Sequence, residues 1–333
     1  MRIKNELSSL MSKYSIFLVL LILFIICCIL NENFLSAENL KNISTQISVG
    51  TILAFGETIL IISGMLDLSS ASVLALSGVV SVSLYKSTES LSLAFAAAVM
   101  VSVCCNLING IMVTKFKTPS FIATLAMMAM ARGAALMYTS GQNIYQIGNY
   151  TVLGQGRVLG IPAPVVFLSG IFIITWYLLK HTIFGRSIYA IGGNEEAANA
   201  SGINVNKIKM QAFVINGIFV GIAGVLFMSR VNEGAPNGAN GYEFKALTAA
   251  IIGGTSFSGG IGTASGTIAG AFIVGFLDNI MILTGVGSYL QQIIRGAIIA
   301  LAVMYDINAK TRRMKRKFSS NNRVKDSKSE QSI

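Results

Sequence analysis

Gly192-Gly193-Asn194-Glu195-Glu196-Ala197-Ala198-Asn199-Ala200-Ser201-Gly202 lies at the centre of a polar island running from about Lys180 to Lys209. Apolar runs near 164–179 and 210–230 flank it, and almost every other stretch of comparable length is equally oily. These runs are continuous, and runs able to cross about 30 Å of hydrocarbon as helices recur along the chain. A transmembrane barrel would instead alternate apolar and polar residues along each strand. The fold class read from this pattern is all-α: a polytopic membrane protein with about ten transmembrane helices, some short or broken.

Composition agrees. The 333 residues are 53% hydrophobic and 12% charged, against roughly 25% charged in an ordinary soluble domain. The apolar segments fall near 15–30, 43–63, 69–85, 91–113, 119–138, 164–179, 210–230, 246–257, 264–284 and 288–305. The eighth is too short to cross as a straight helix, so it reads as re-entrant or broken. The first lacks a small-residue cleavage site before Asn31-Glu32-Asn33 and reads as retained. The expected organisation is a cytoplasmic N-terminus over 1–14 and one transmembrane domain over 15–305 containing the cytoplasmic loop 180–209. A basic, disordered cytoplasmic tail follows over 306–333.

The formal net charge is +11, but it does not read as a nucleic-acid surface. With the N-terminus inside, 18 of the 25 Lys and Arg residues fall on inner segments, nine of them after Tyr305. Only Lys41, Lys86, Arg157 and Lys245 fall on outer loops, and Arg132, Arg230 and Arg295 lie within or at the ends of apolar segments. That asymmetry orients a membrane protein with both termini inside and an even number of crossings. The tail segment Lys310-Thr311-Arg312-Arg313-Met314-Lys315-Arg316-Lys317 then suits anionic lipid headgroups. Cys27-Cys28 and Cys104-Cys105 are adjacent pairs inside apolar runs, which suits packing rather than bridging or metal binding.

Within the island, Asn194 is a good N-cap, Glu195 and Glu196 sit in the positive first turn, and Gly202 supplies a stop. Ala197, Ala198 and Ala200 favour helix, with Ser201 at its end. A helix of about seven residues is marginal in water and needs something to pack on. Its exposed side is acidic and small, unlike a helix lying on lipid headgroups, so docking into a partner protein is the reading. The run Gly253-Gly254-Thr255-Ser256-Phe257-Ser258-Gly259-Gly260-Ile261-Gly262 lacks the Gly-Lys-Ser/Thr of a Walker loop and reads as a helix break. Gly262, Gly266 and Gly270, like Gly217 and Gly221, are spaced for close helix approach.

Polar residues inside apolar runs are costly and face a cavity or a partner. Glu57, Asp67, Asn106, Asn109, Arg132 and Asn216 are therefore candidates for a substrate path, with hydrogen bonding between helices as the alternative. Asn106 and Asn109 share one helical face. His181 is the single histidine and has no Cys or second His partner. With no paired carboxylates and no metal spacing, an enzyme is disfavoured, and no cofactor is expected.

Several motifs in order resemble a known family. They include Pro119-Ser120-Phe121-Ile122-Ala123-Thr124-Leu125, Ala131-Arg132-Gly133 and Phe184-Gly185-Arg186-Ser187-Ile188-Tyr189-Ala190-Ile191 running into the island. Gly241-Tyr242-Glu243-Phe244, the 253–260 glycine run and Gln291-Gln292-Ile293-Ile294-Arg295-Gly296 follow. Over roughly 40–306 the chain resembles permease subunits of bacterial sugar ABC importers, the ribose permease family most closely. That family belongs to the branched-chain amino-acid/monosaccharide permease superfamily. The resemblance implies a bacterial inner-membrane protein paired with a second permease subunit, either as a homodimer or with a close paralogue. It implies a cytoplasmic ATPase docked through a coupling helix that matches Glu195-Glu196-Ala197-Ala198 through Gly202, and an extracytoplasmic sugar-binding protein. The family's Gly-Gly-Ile-Asp-Leu-Ser-Val-Gly is here Gly64-Met65-Leu66-Asp67-Leu68-Ser69-Ser70-Ala71, which keeps Asp67 and Ser69 but loses two glycines and weakens the case for a tight turn. An ion-coupled carrier using Glu57 or Asp67 stays open, as do a non-transporting scaffold and a permease for a polyol, a sugar-derived signal or a branched-chain amino acid.

Overall fold

A computed structural model describes the backbone of residues 2–304, and side chains from residue 16 onward. The expected basic tail over 306–333 lies outside the described residues, as do the side chains of the N-terminal stretch 1–14. The architecture is all-α. In chain order the helices are α1 Arg2–Leu30, α2 Ala37–Ile62, α3 Ser70–Thr88, α4 Leu91–Thr114 and α5 Ser120–Tyr138. After the short α6 Val152–Gln155 come α7 Ala163–His181, α8 Ile183–Gly193, α9 Glu195–Ala200 and α10 Val205–Val231. The set ends with α11 Tyr242–Ile252, α12 Ala264–Leu283 and α13 Ser288–Met304.

Nine of the ten apolar segments fall largely on one of these helices, and the eighth, 246–257, is part α11 and part the turn that follows it. Among the described residues, six helices (α2, α4, α5, α7, α10 and α12) are both long and apolar enough to cross a membrane. Helix α3 has the length but carries Ser70, Ser72, Ser77 and Ser81, all buried against neighbours rather than facing lipid. Helix α11 has 11 residues and at 1.5 Å per residue rises only about 16 Å, half a bilayer core. A glycine-rich turn follows it, with Gly254, Gly259 and Gly260 at positive φ.

Helices α2 and α10 form the interior. Glycine lets α10 approach its neighbours closely: a Cβ at Gly217 would sit 2.9 Å from Val103 Cα, and one at Gly221 2.7 Å from Val99 Cα, both on α4. Gly266 and Gly270 likewise bring α12 onto the backbone of Gly253 and Ala249, at the end of α11. The four-residue glycine spacing therefore marks real helix contacts. Phe24 of α1 meets Phe34 edge to face and Phe276 at a tilt, which fastens α1 to α12.

The two long connections, 139–162 and 232–241, meet at the end of the bundle away from α8 and α9. Ile144 and Gly234 exchange backbone hydrogen bonds of 2.9 and 2.8 Å. Tyr150 is fully buried there, its hydroxyl 2.8 Å from that of Ser81. A two-residue hairpin pairs Arg157–Val158 with Ile161–Pro162.

Candidate functional site: the capped helix and the buried polar network

The island folds as two helices. The first, α8, is capped by Thr182, whose hydroxyl oxygen accepts from Gly185 N at 3.0 Å. The second, α9, is six residues long and is capped by Asn194, whose Oδ1 accepts from Ala197 N at 2.8 Å. Its C-terminus is a Schellman turn: Gly202 N donates to Asn199 O (3.0 Å), Ile203 N donates to Ala198 O (3.1 Å), and Gly202 takes φ +86. Ala198 is the one buried residue of α9 and packs with Ile191, Val205 and Ile203. The packing that so short a helix needs is thus supplied from within the chain, along one face.

The other faces are open. Gly193, Asn194, Glu195, Glu196, Ala197 and Ser201 are exposed. The two glutamates differ. Glu195 forms an ion pair with Lys209 on α10 at 2.7 Å, whereas Glu196 makes no ion pair among the described residues. A cleft of about 680 Å³ runs along α9, lined by Lys117, Glu195, Glu196, Asn199, Asn204 and Asn206.

Five of the six intramembrane polar candidates converge on one buried network. Asn216 Nδ2 on α10 donates to Asp67 Oδ2 (2.7 Å) and to Asn106 Oδ1 (3.0 Å). Ser69 donates both its N–H (2.8 Å) and its hydroxyl to Asp67 Oδ1, and accepts from Asn109 Nδ2 at 3.1 Å. Glu57 Oε2 accepts from Asp67 N at a long 3.4 Å. Glu57, Asp67, Asn106, Asn109 and Asn216 are all 1% exposed or less. Asn106 and Asn109 do share a face of α4, and both use it to hold neighbours. All five take part in hydrogen bonds within this network, and none lines the cleft along α9.

The turn bearing Asp67 is formed despite the two lost glycines. Gly64 takes φ +78, and Met65 N donates to Leu60 O at 2.9 Å. Two hydroxyls one helical turn apart on α5 support it, with Ser120 Oγ accepting from Leu66 N and Thr124 Oγ1 from Leu68 N, both at 3.2 Å. Their four-residue spacing was the available signal for this support.

Arg132 stands apart. It lies on α5 and donates to the carbonyls of Pro236 (2.6 Å) and Gly238 (3.1 Å), clamping the 232–241 connection. Sequence reasoning missed Asp278, a 3% exposed carboxylate on α12 held by Lys245 of α11 and Arg295 of α13, each at 2.6 Å. A lone Asp inside an apolar run was the signal. Among the described residues no group of three or more His, Cys, Asp or Glu could hold a metal ion.

Comparison with known proteins fits a transport subunit. The family described as branched-chain amino acid transport system / permease component matches residues 39–303. The ribose import permease protein RbsC of Escherichia coli K12 is 40% identical over 294 residues, covering 87% of this chain and 92% of the relative. The RbsC of Bacillus subtilis is 40% identical over 299 residues, covering 89% and 93%. The L-arabinose transport system permease protein AraH of Escherichia coli K12 is 37% identical over 295 residues, covering 88% and 90%. No solved structure matches the chain. Matched by that family over residues 39–303 and helical with several apolar spans, the chain belongs to the family of transport-system permease components.

Proposed function

We propose that the chain is the translocation subunit of an ATP-binding cassette importer for a monosaccharide, with ribose or a closely related sugar as first choice. The observation that carries this reading is the 40% identity to ribose import permeases of both Escherichia coli and Bacillus subtilis over almost their full length. ATP hydrolysis belongs to a separate cytoplasmic subunit, and an extracytoplasmic binding protein delivers the sugar. The exposed face from Gly193 to Gly202 is the dock for the ATPase. Two permease subunits, identical or paralogous, enclose the path in the bacterial plasma membrane.

In this reading α11 and the glycine-rich turn after it cross as one broken segment, so that ten segments cross the membrane and both termini are cytoplasmic. The 139–162 and 232–241 connections then face outward, toward the binding protein. The test is uptake by the complete complex in proteoliposomes, comparing labelled ribose, arabinose and leucine. ATP-dependent ribose uptake is expected. Uptake that proceeds without the ATPase, or that follows a proton or sodium gradient, overturns the reading.

A further inference from the structure

Helix α9 has two attachments to the rest of the molecule. One is the start of α10, through the Ala198–Val205 contact and the Glu195–Lys209 ion pair. The other is α8, and α8 leads somewhere the sequence did not indicate. At Gly192 the backbone of α8 lies directly on two other backbones. A Cβ there would overlap the carbonyl oxygen of Ile62, at the end of α2, and would stand 2.5 Å from the amide nitrogen of Gly260. The contact is reciprocal, since a Cβ on Gly259 would lie 2.9 Å from Gly192 O and one on Gly260 3.1 Å from Gly193 Cα.

Gly259 and Gly260 sit at φ +81 and +77, where other residues are strained. Gly260 N donates to Ile62 O at 2.8 Å. One turn before Gly192 on α8, Tyr189 donates its hydroxyl to Gly262 O at 2.7 Å. Burial pushes the Tyr189 hydroxyl above its ordinary pKa, which keeps it a donor. Three elements therefore meet backbone to backbone: the end of α2, helix α8, and the loop between α11 and α12. Just past Ile62 comes the turn that bears Asp67. A Cβ on the neighbouring Gly193 would meet nothing within 4 Å, so of the pair only Gly192 lacks room for a side chain.

We propose that Gly192 and Tyr189 are positioning residues that carry displacement of α9 into the α11–α12 loop and the end of α2, and so set how much solute moves per ATP hydrolysed. A backbone contact without intervening side chains leaves no flexible group to absorb a shift, so α8 cannot move without moving the loop or losing the contact. The proposal rests on the importer reading above.

The experiment uses the complete complex in proteoliposomes, measuring ATPase stoichiometry, ATP hydrolysis and solute taken up per ATP for Gly192→Ala, Tyr189→Phe and a control, Gly170→Ala. Gly170 is an exposed glycine of α7 with open space around it. Both test variants are expected to retain the ATPase at parental stoichiometry and to keep hydrolysing ATP. Solute per ATP is expected to fall about tenfold in Gly192→Ala and about threefold in Tyr189→Phe, with Gly170→Ala unchanged. An unchanged ratio in both variants overturns the proposal. So does loss of uptake in step with loss of the ATPase, since that assigns Gly192 to docking alone.

If Gly192→Ala fails to assemble, Tyr189→Phe decides, together with hydrogen exchange in the unaltered complex. A non-hydrolysable ATP analogue must change exchange of the amides over 256–262, and no change there overturns the proposal. Absence of ATP-dependent uptake by the unaltered complex would instead bring down the importer reading, and this proposal with it.

Discussion

Replacing Asn216 with alanine separates a structural role for the buried polar network from a role in touching solute. The substitution removes the bond to the Asp67 carboxylate and the bond to Asn106 Oδ1. A bond to a charged group contributes about 1.5–3 kcal/mol, and an amide pair between membrane helices averages about 0.6 kcal/mol. The expected loss is about 2–4 kcal/mol, or on the order of 5–10 °C in melting temperature in detergent. A second route reaches the same bonds without touching a polar atom. A Cβ at Gly56, on α2, would collide with Asn216 Oδ1, so Gly56→Ala alone destabilises by pushing the amide off its partners. In the Asn216→Ala background that collision is gone, and Gly56→Ala costs little. The cycle therefore gives a non-additive energy of about 1–3 kcal/mol. Thermal melting of the four proteins, together with the KM for uptake, is the assay. If Asn216→Ala melts like the parent while its KM rises tenfold or more, Asn216 meets the solute and the structural argument is wrong.

Three further outcomes follow from the geometry. Asp278→Asn leaves Lys245 and Arg295 without their shared carboxylate; since both cations are partly exposed, the loss lies near the low end for buried pairs, about 3 kcal/mol by melting. Glu196→Lys reverses charge on the unpaired acidic position of α9 and is expected to lower recovery of the ATPase in pull-downs about tenfold or more, with membrane insertion intact. Glu195→Gln breaks an internal pair instead and lowers recovery far less, so equal effects would refute the distinction. Asn194→Ala removes the cap of α9, costs about 1 kcal/mol locally, and speeds amide exchange over 195–200 about fivefold.

Much of the bundle is written in local sequence. A continuous apolar run dictates a helix in lipid because every backbone group must be bonded within its own segment. The positions of α2, α4, α5, α7, α10 and α12 follow from that alone. The cap at Asn194 and the stop at Gly202 are equally local, since both bonds close within four residues. Helix α8 was not legible. Phe184-Gly185-Arg186-Ser187 mixes glycine, charge and bulk, and the helix is held by packing: Ile188 and Ile191 are buried, and Gly185 rests on the carbonyls of Leu178 and Leu179. The polar residues could be picked out singly but not joined. Asp67 and Asn216 lie 149 residues apart, and no periodicity reports such a pairing. Five of the path candidates are joined by such bonds, while Arg132 clamps the 232–241 connection.

The distribution of these ties bears on which parts of the protein can move. Asp67, Asn106, Asn109 and Asn216 bind α4, α10 and the turn after α2 through side chains whose bonds must break before those elements separate. Asp278 fixes α11, α12 and α13 to one another through charge. These two groups of helices meet backbone to backbone at the glycine contacts of Gly260 on Ile62 and Gly192 on both, and side chain to side chain nearby, with Thr58 2.7 Å from Thr267 and Ile61 packed on Leu247, Ala250 and Ile251. Opening either anchored group costs several kcal/mol of charge-assisted bonding. A molecule that rearranges under force applied at α9 will therefore pass the displacement across the glycine junction and keep its two anchored groups intact. The glycines at 192, 259 and 260 transmit that motion for the same reason they permit the packing: backbone meets backbone with no flexible side chain in between.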